Sequence, residues 1–168
     1  MHRLWSNAIV TDLRYVVGDS GQTLTFICDV IEHFCEHQQH RPDQAEAGGQ
    51  LFATFSCGVI RVVRATGPRS SDQRSLFRFV PNRMAERREI KRLFRSGLHY
   101  VGDWHTHPQR VPAPSRTDIA NITDTFRKSR HGLAGFLLII VGTSPAPDGL
   151  YIAVCNQGSC EELRITET

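Results

Sequence analysis

The run His105-Thr106-His107-Pro108, with Ser115 and Asp118 downstream, constrains this chain more than any other feature. It follows the segment Leu98-His99-Tyr100-Val101-Gly102-Asp103-Trp104, which reads as a strand. Two histidines at i and i+2 on an extended segment project from one face. Imidazole nitrogen suits zinc, and two imidazoles plus one carboxylate leave a tetrahedral position open for water. Asp118 supplies that carboxylate if the chain turns back after Pro112 and Pro114 and starts a helix near Ser115. The pattern thus predicts a strand, a proline-bounded turn and a helix converging on one point. An open metal position points to hydrolysis, not to structure alone.

A bare H-x-H is a weak signal in a chain with eight histidines. The fixed offsets of Pro108, Ser115 and Asp118 make a chance match rare. Hydrolysis also needs a group that accepts a proton and later delivers it to the leaving amine. Upstream, Glu46-Ala47-Gly48-Gly49-Gln50-Leu51-Phe52-Ala53 puts a carboxylate at a strand start, beside glycines that allow close backbone approach. Glu46 is therefore the best candidate for the base, with Asp43 and Asp103 next.

A second zinc-like pattern, H-x-x-E-H, occurs at His33-Phe34-Cys35-Glu36-His37. The surrounding segment reads as an ordinary amphipathic helix. Leu24, Ile27, Cys28, Ile31, Phe34 and Cys35 form its apolar stripe, and His33, Glu36 and His37 fall on or near its solvated side.

At 168 residues and 40% hydrophobic, the chain can bury one good core. A net charge of +3 does not mark a nucleic-acid binder. The five cysteines, at 28, 35, 57, 155 and 160, include no C-x-x-C pair. The first residues do not resemble a secretory leader. Phe136 to Val141, the longest aliphatic stretch, is too short to span a bilayer. These features predict a cytoplasmic protein with reduced thiols and no membrane partner.

Periodicity predicts extended structure over Leu4–Val17, a helix over Gln22–His37, and strands over Leu51–Ala65 and Ser75–Val80. It further predicts helices over Arg83–Ser96 and Ser115–Ser129, with Ser115 as N-cap. Leu98–His107 is the metal strand, and Gly135–Val141 and Leu150–Cys155 close the sheet.

The glutamate followed by H-[S/T]-H-x7-S-x-x-D resembles the JAMM metalloproteases of the MPN (Mov34/PAD-1) family. Every motif position is filled here, by Glu46, His105, Thr106, His107, Ser115 and Asp118. The resemblance covers about residues 20 to 155. It implies one zinc per chain held by His105, His107 and Asp118, with Glu46 as acid/base and Ser115 stabilising the tetrahedral intermediate. It also implies an α/β fold: a single MPN/JAMM-like domain over residues 1–168, with a mixed, curved β-sheet packed with about three helices. Gly102-Asp103-Trp104-His105 resembles the small stand-alone bacterial branch, found in anti-phage signalling (CBASS) operons. For that branch the expected partners are a ubiquitin-like tail and the protein conjugated to it, a nucleotidyltransferase. Release of an amino acid from a sulfur-carrier protein, and a non-enzymatic MPN scaffold, are the alternatives; the intact motif argues against the scaffold.

Three further expectations follow from the residues. Arg83, Arg87, Lys91 and Arg95 form a basic helical stripe, most simply a solvated face. Strand alternation puts Tyr100, Gly102 and Trp104 opposite Asp103, His105 and His107, so Asp103 is placed to orient a ligand imidazole. Finally, Gln50 to Phe55 is read as a sheet edge that could pair with an extended substrate tail. Such a tail would be cleaved after a terminal glycine.

Overall fold

The computed structural model describes residues 11–166. Its strands are β1 Leu13–Val17, β2 Gln22–Phe26, β3 Gly48–Ser56, β4 Val59–Ala65, β5 Gln73–Ser75, β6 Arg78–Val80, β7 His99–Thr106, β8 Phe136–Val141, β9 Leu150–Cys155 and β10 Cys160–Glu162. The helices are α1 Cys28–Glu36, α2 Arg83–Arg95 and α3 Arg116–Lys128. Eight strands form one mixed, curled sheet in the order β1-β2-β4-β3-β7-β8-β9-β10, and β5 and β6 form a separate hairpin. The pairs β2–β4 and β7–β8 are parallel. The described residues are thus α/β with three helices, as the sequence predicts.

The sheet separates two apolar layers. On one face Val30, Ile31 and Phe34 of α1 pack with Leu24, Phe26, Leu51, Trp104 and Ile139. On the other, Ile122 of α3 packs with Phe136, Leu138 and Ile140. This explains why all six residues of β8 are buried: its side chains face helices on both sides, so the strand reads as a continuous apolar run.

Several predicted boundaries change. The predicted helix over Gln22–His37 is a strand followed by a shorter helix. Gln22-Thr23-Leu24-Thr25-Phe26 is β-branched at alternate positions. It pairs with β1 across a turn in which Gly18 and Gly21 take positive φ. Of the predicted extended segment Leu4–Val17, Leu13–Val17 is β1 and residues 4–10 lie outside the described residues. Leu51–Ala65 is a hairpin, not one strand: Cys57 (φ 32°) and Gly58 (φ 78°) make its two-residue turn. Ser75–Val80 is likewise the β5–β6 hairpin closed by Leu76 and Phe77. Cys155 and Cys160 form a disulfide across β9 and β10, which corrects the expectation of uniformly reduced thiols. Their facing positions arise from a hairpin register that spacing alone does not reveal. Cys28, Cys35 and Cys57 are free.

The expected side-chain alternation along β7 holds for Trp104 against Asp103, His105 and His107 but fails at Tyr100. Gly102 pairs with Leu51 but Tyr100 pairs with Phe52, so the register shifts by one residue at this point. A bulge puts one extra residue against its partner strand and resets which face each side chain takes. Tyr100 therefore joins the α3-side layer, while Val101 and Trp104 share the α1-side layer. Gly102 has φ 150°, and a Cβ there would overlap the Leu137 carbonyl oxygen. Gly102→Ala should cost about 3 kcal/mol through backbone strain and overpacking. Chemical denaturation checks this; a change below about 1 kcal/mol would mean the bulge relaxes freely.

Candidate metal centre

β7 delivers His105 and His107 to the α3 side of the sheet, and Pro108 to Pro114 carry the chain round to α3. Ser115 is the α3 N-cap. Its Oγ accepts a hydrogen bond from the Asp118 N–H at 3.1 Å, while an Asp118 carboxylate oxygen accepts from the Ser115 N–H at 2.7 Å. This reciprocal capping box fixes the rotamer of Asp118 and aims its carboxylate at the histidines. His105 Nε2 lies 3.2 Å from Asp118 Oδ1, and His107 Nε2 lies 3.4 Å from Asp118 Oδ2. The two Nε2 atoms are 3.2 Å apart. Two ring nitrogens and a carboxylate oxygen converging this closely are compatible with a metal site. Burial alone would raise the Asp118 pKa. Hydrogen bonds from His105 and His107, the His105 charge and the Ser115 N–H outweigh it and hold the carboxyl well below its usual range.

Glu46 reaches the same cavity from the segment just before β3. Gly48 pairs with His105 and Gly49 with Trp104, and Thr106 N–H donates to the Ala47 carbonyl at 2.8 Å. Glu46 precedes the first of these pairs by two residues. Gly49 cannot carry a side chain here, because its Cβ would overlap the Thr66 carbonyl. Glu46 is 6% exposed. Burial pushes its pKa to about 7; the His107 charge opposes this shift and the Asp118 charge adds to it. The structure therefore brings together Glu46, His105, His107, Ser115 and Asp118 around one cavity of about 830 Å³.

Other expectations are revised. Asp103 also lines the cavity, but its Oδ1 accepts from the Tyr100 hydroxyl at 2.9 Å, and not from an imidazole N–H. The bulge creates this partnership by turning Tyr100 to the Asp103 face. Burial first, and the Glu86 charge second, raise the Asp103 pKa to about 7. Asp43 is exposed and pairs with Arg41. His33 and His37 do not lie on a solvated face. His33 Nε2 donates to the Gly67 carbonyl and His37 Nδ1 to the His33 carbonyl, and both rings pack on Trp104. With Glu36 they form a second close grouping of ligand atoms. In the basic stripe, Arg83 donates to buried Glu86 at 2.9 Å and lines the cavity, while Arg87, Lys91 and Arg95 are exposed.

The sequence reading missed the outer wall of the cavity. Phe77, Arg78, Phe79 and Val80 of the β5–β6 hairpin line it, and Phe77 is 75% exposed at the tip. The hairpin is tied down where Glu46 N–H donates to the Ser75 carbonyl at 2.9 Å and the Arg74 guanidinium donates to the Glu46 carbonyl. Its turn contains neither Gly nor Asn, so the usual signal was missing. Nor is β3 an edge: β4 and β7 flank it on its two sides.

A strand–turn–helix that gathers two histidines and an aspartate, faced by a buried glutamate just before the neighbouring strand, defines a class of protein built round a cleft compatible with a metal site. The chain belongs to the prokaryotic homologs of the JAB domain, whose family model matches residues 29–155. Similar curated proteins include one from Pseudomonas aeruginosa named CD-NTase/cGAS isopeptidase, 31% identical over 109 residues, or 62% of this chain and 68% of that one. One of the same name from Enterobacter hormaechei is 29% identical over 103 residues, or 60% of this chain. The match spans 57% of the length of that relative. The solution structure of a Desulfitobacterium hafniense protein shares the fold, with a TM-score of 0.60 at 19% identity, covering 83% of this chain and 88% of that one. Among the described residues, no helix is long and apolar enough to cross a membrane.

The Glu46 environment generates a stability prediction for the metal-free protein. The folded pKa of Glu46 is raised, so between the unfolded value of 4.5 and about 7 the folded state holds the extra proton. Stability therefore falls as pH rises through that window. Glu46→Gln removes this dependence, and its Tm advantage over wild type should grow from pH 5 to about 7.5. A constant difference across the titration would show that folding does not perturb Glu46.

Proposed function

We propose that this protein is a zinc-dependent isopeptidase that hydrolyses the amide after the C-terminal glycine of a ubiquitin-like tail, freeing a conjugated protein. The observation that carries the reading is the spacing of the three candidate ligands. A tetrahedral zinc with bonds of 2.0–2.1 Å has ligand atoms about 3.3 Å apart; the two Nε2 atoms here are 3.2 Å apart, and each faces its own oxygen of the Asp118 carboxylate, His105 at 3.2 Å from Oδ1 and His107 at 3.4 Å from Oδ2. When bound, zinc supplies Lewis-acid polarisation and lowers the pKa of water.

The protein's own groups then have separate tasks. His105, His107 and Asp118 would hold the ion, with the capping box orienting Asp118. Glu46, buried and pushed towards neutrality, takes the proton of the attacking water and returns it to the leaving amine. Ser115 Oγ accepts from the Asp118 N–H, which leaves its own proton free to donate to the developing oxyanion. The tail itself cannot add to β3, which is flanked on both sides. The hairpin strand β6 takes that role in this reading: Arg78–Val80 line the cavity and belong to a sheet of only two strands. An extended tail laid along it would need small residues where Phe79 closes against Gly48.

The relatives named CD-NTase/cGAS isopeptidase support a CD-NTase as the conjugated target; anti-phage defence as the setting rests on the sequence resemblance alone. The test is incubation of the zinc-loaded protein with conjugates carrying Gly or Leu at the scissile position, followed by mass spectrometry of the products. Cleavage should follow Gly and fail at Leu. Glu46→Gln should keep the zinc and lose ~10²–10⁴-fold in kcat; Ser115→Ala should lose ~10²–10³-fold. Equal cleavage of both conjugates would reject the glycine-tail reading, and a fully active Glu46→Gln would reject Glu46 as the base.

A further inference from the structure

Gln39, in the loop after α1, belongs to no motif, yet it is 3% exposed and its side chain is fully committed. Its Nε2 donates to the backbone carbonyls of Gln44 at 2.9 Å and Leu76 at 3.3 Å. Its Oε1 accepts from the Thr106 hydroxyl at 2.8 Å. Thr106 stands between the two candidate ligand histidines but points to the other face of β7, where it is completely buried. Its Oγ in turn accepts from the Ala47 N–H at 3.0 Å, and Ala47 adjoins Glu46.

One carboxamide thus reaches three separate parts of the site. These are the strand bearing the histidines, the segment bearing Glu46, and Leu76 at the turn of the hairpin over the cavity. The direction of the bonds matters. A hydroxyl has one proton, and giving it to Gln39 leaves an oxygen lone pair for the Ala47 N–H. Removing either member strands a buried partner, at the full desolvation cost of that group.

We infer that Gln39 is a positioning residue: through Thr106 it fixes Glu46 in register with His105 and His107, and through Leu76 it sets the hairpin over the cleft. The catalytic consequence rests on the proposed role of Glu46; the structural linkage does not.

The test compares wild type with Gln39→Met, which keeps the length without the amide. It also includes Thr106→Val, which keeps the shape without the hydroxyl, and Thr106→Ser, which keeps the hydroxyl. Amide hydrogen exchange is measured on metal-free protein, and kcat, KM and metal content on zinc-loaded protein. In Gln39→Met and Thr106→Val, exchange at Ala47 and across Ser75–Arg78 should accelerate about tenfold or more, with β8 unchanged. Zinc should stay at one per chain, and kcat should fall ~10–100-fold with a smaller change in KM. Thr106→Ser should restore both. Unchanged exchange at Ala47 and the hairpin, or uniform acceleration that includes β8, would overturn the inference and reduce Gln39 to core filling. If Gln39→Met does not fold, the Thr106→Val and Thr106→Ser pair decides the same question. A wild type inactive on every glycine-tailed conjugate would defeat the isopeptidase reading, yet the exchange comparison would still judge the linkage.

Discussion

The close antiparallel pairing of β3 with β7 is the constraint on which the rest of the site depends. It sets Gly48 against His105 and Gly49 against Trp104, and so holds the short segment carrying Glu46, just before β3, beside the candidate ligands. Two features make the approach possible. Gly49 lies where any side chain would collide with the Thr66 carbonyl, and Gly102 lies where it would collide with Leu137. Trp104, wholly buried, donates its indole N–H to the same Thr66 carbonyl at 2.9 Å. The face of β7 away from the cavity is thereby anchored in the apolar layer, and the histidines on the near face gain a rigid base. Sites held on packed strands keep their geometry better than sites on loops.

Electrostatics divides the labour between the two carboxylates. Both are shielded from water, but Asp118 is surrounded by donors and stays ionised, whereas Glu46 has few and is drawn towards neutrality. Environments that drive two acids apart are how one cleft obtains a permanent ligand and a proton carrier. The helix cap belongs to this division. The Ser115–Asp118 box stabilises the start of α3 and also presents Asp118 to the histidines, so stability and site geometry draw on the same hydrogen bonds.

The parts of this arrangement that depend on local spacing were legible in the sequence. His105, His107, Ser115 and Asp118 could be placed on a strand, a turn and a helix because each offset is short. The start of α3 followed from Ser115 as its cap, and the α2 bounds from ordinary apolar periodicity; the Asn82 cap of α2 was seen only in the structure. What escaped depends on pairing between distant segments. Gln22–Phe26 looks helical when joined to the periodic run after it, and only the β1 hairpin and the parallel β4 neighbour make it a strand. The bulge at Gly102 reverses the face of Tyr100, which no two-residue period can anticipate. His33 and His37 look solvated on a helical projection, but Trp104 from β7 covers them. Gln39 carries no signal at all, since a lone glutamine in a polar run reads as loop.

The central claim is that His105, His107 and Asp118 form the metal centre. X-ray absorption at the zinc edge tests it most directly, using zinc-loaded His33→Ala/His37→Ala protein so that the second histidine grouping cannot contribute. The account predicts a nitrogen and oxygen shell at about 2.0–2.1 Å with imidazole scattering from two histidines. A sulfur shell at about 2.3 Å, or loss of the imidazole signal in this variant, would contradict it.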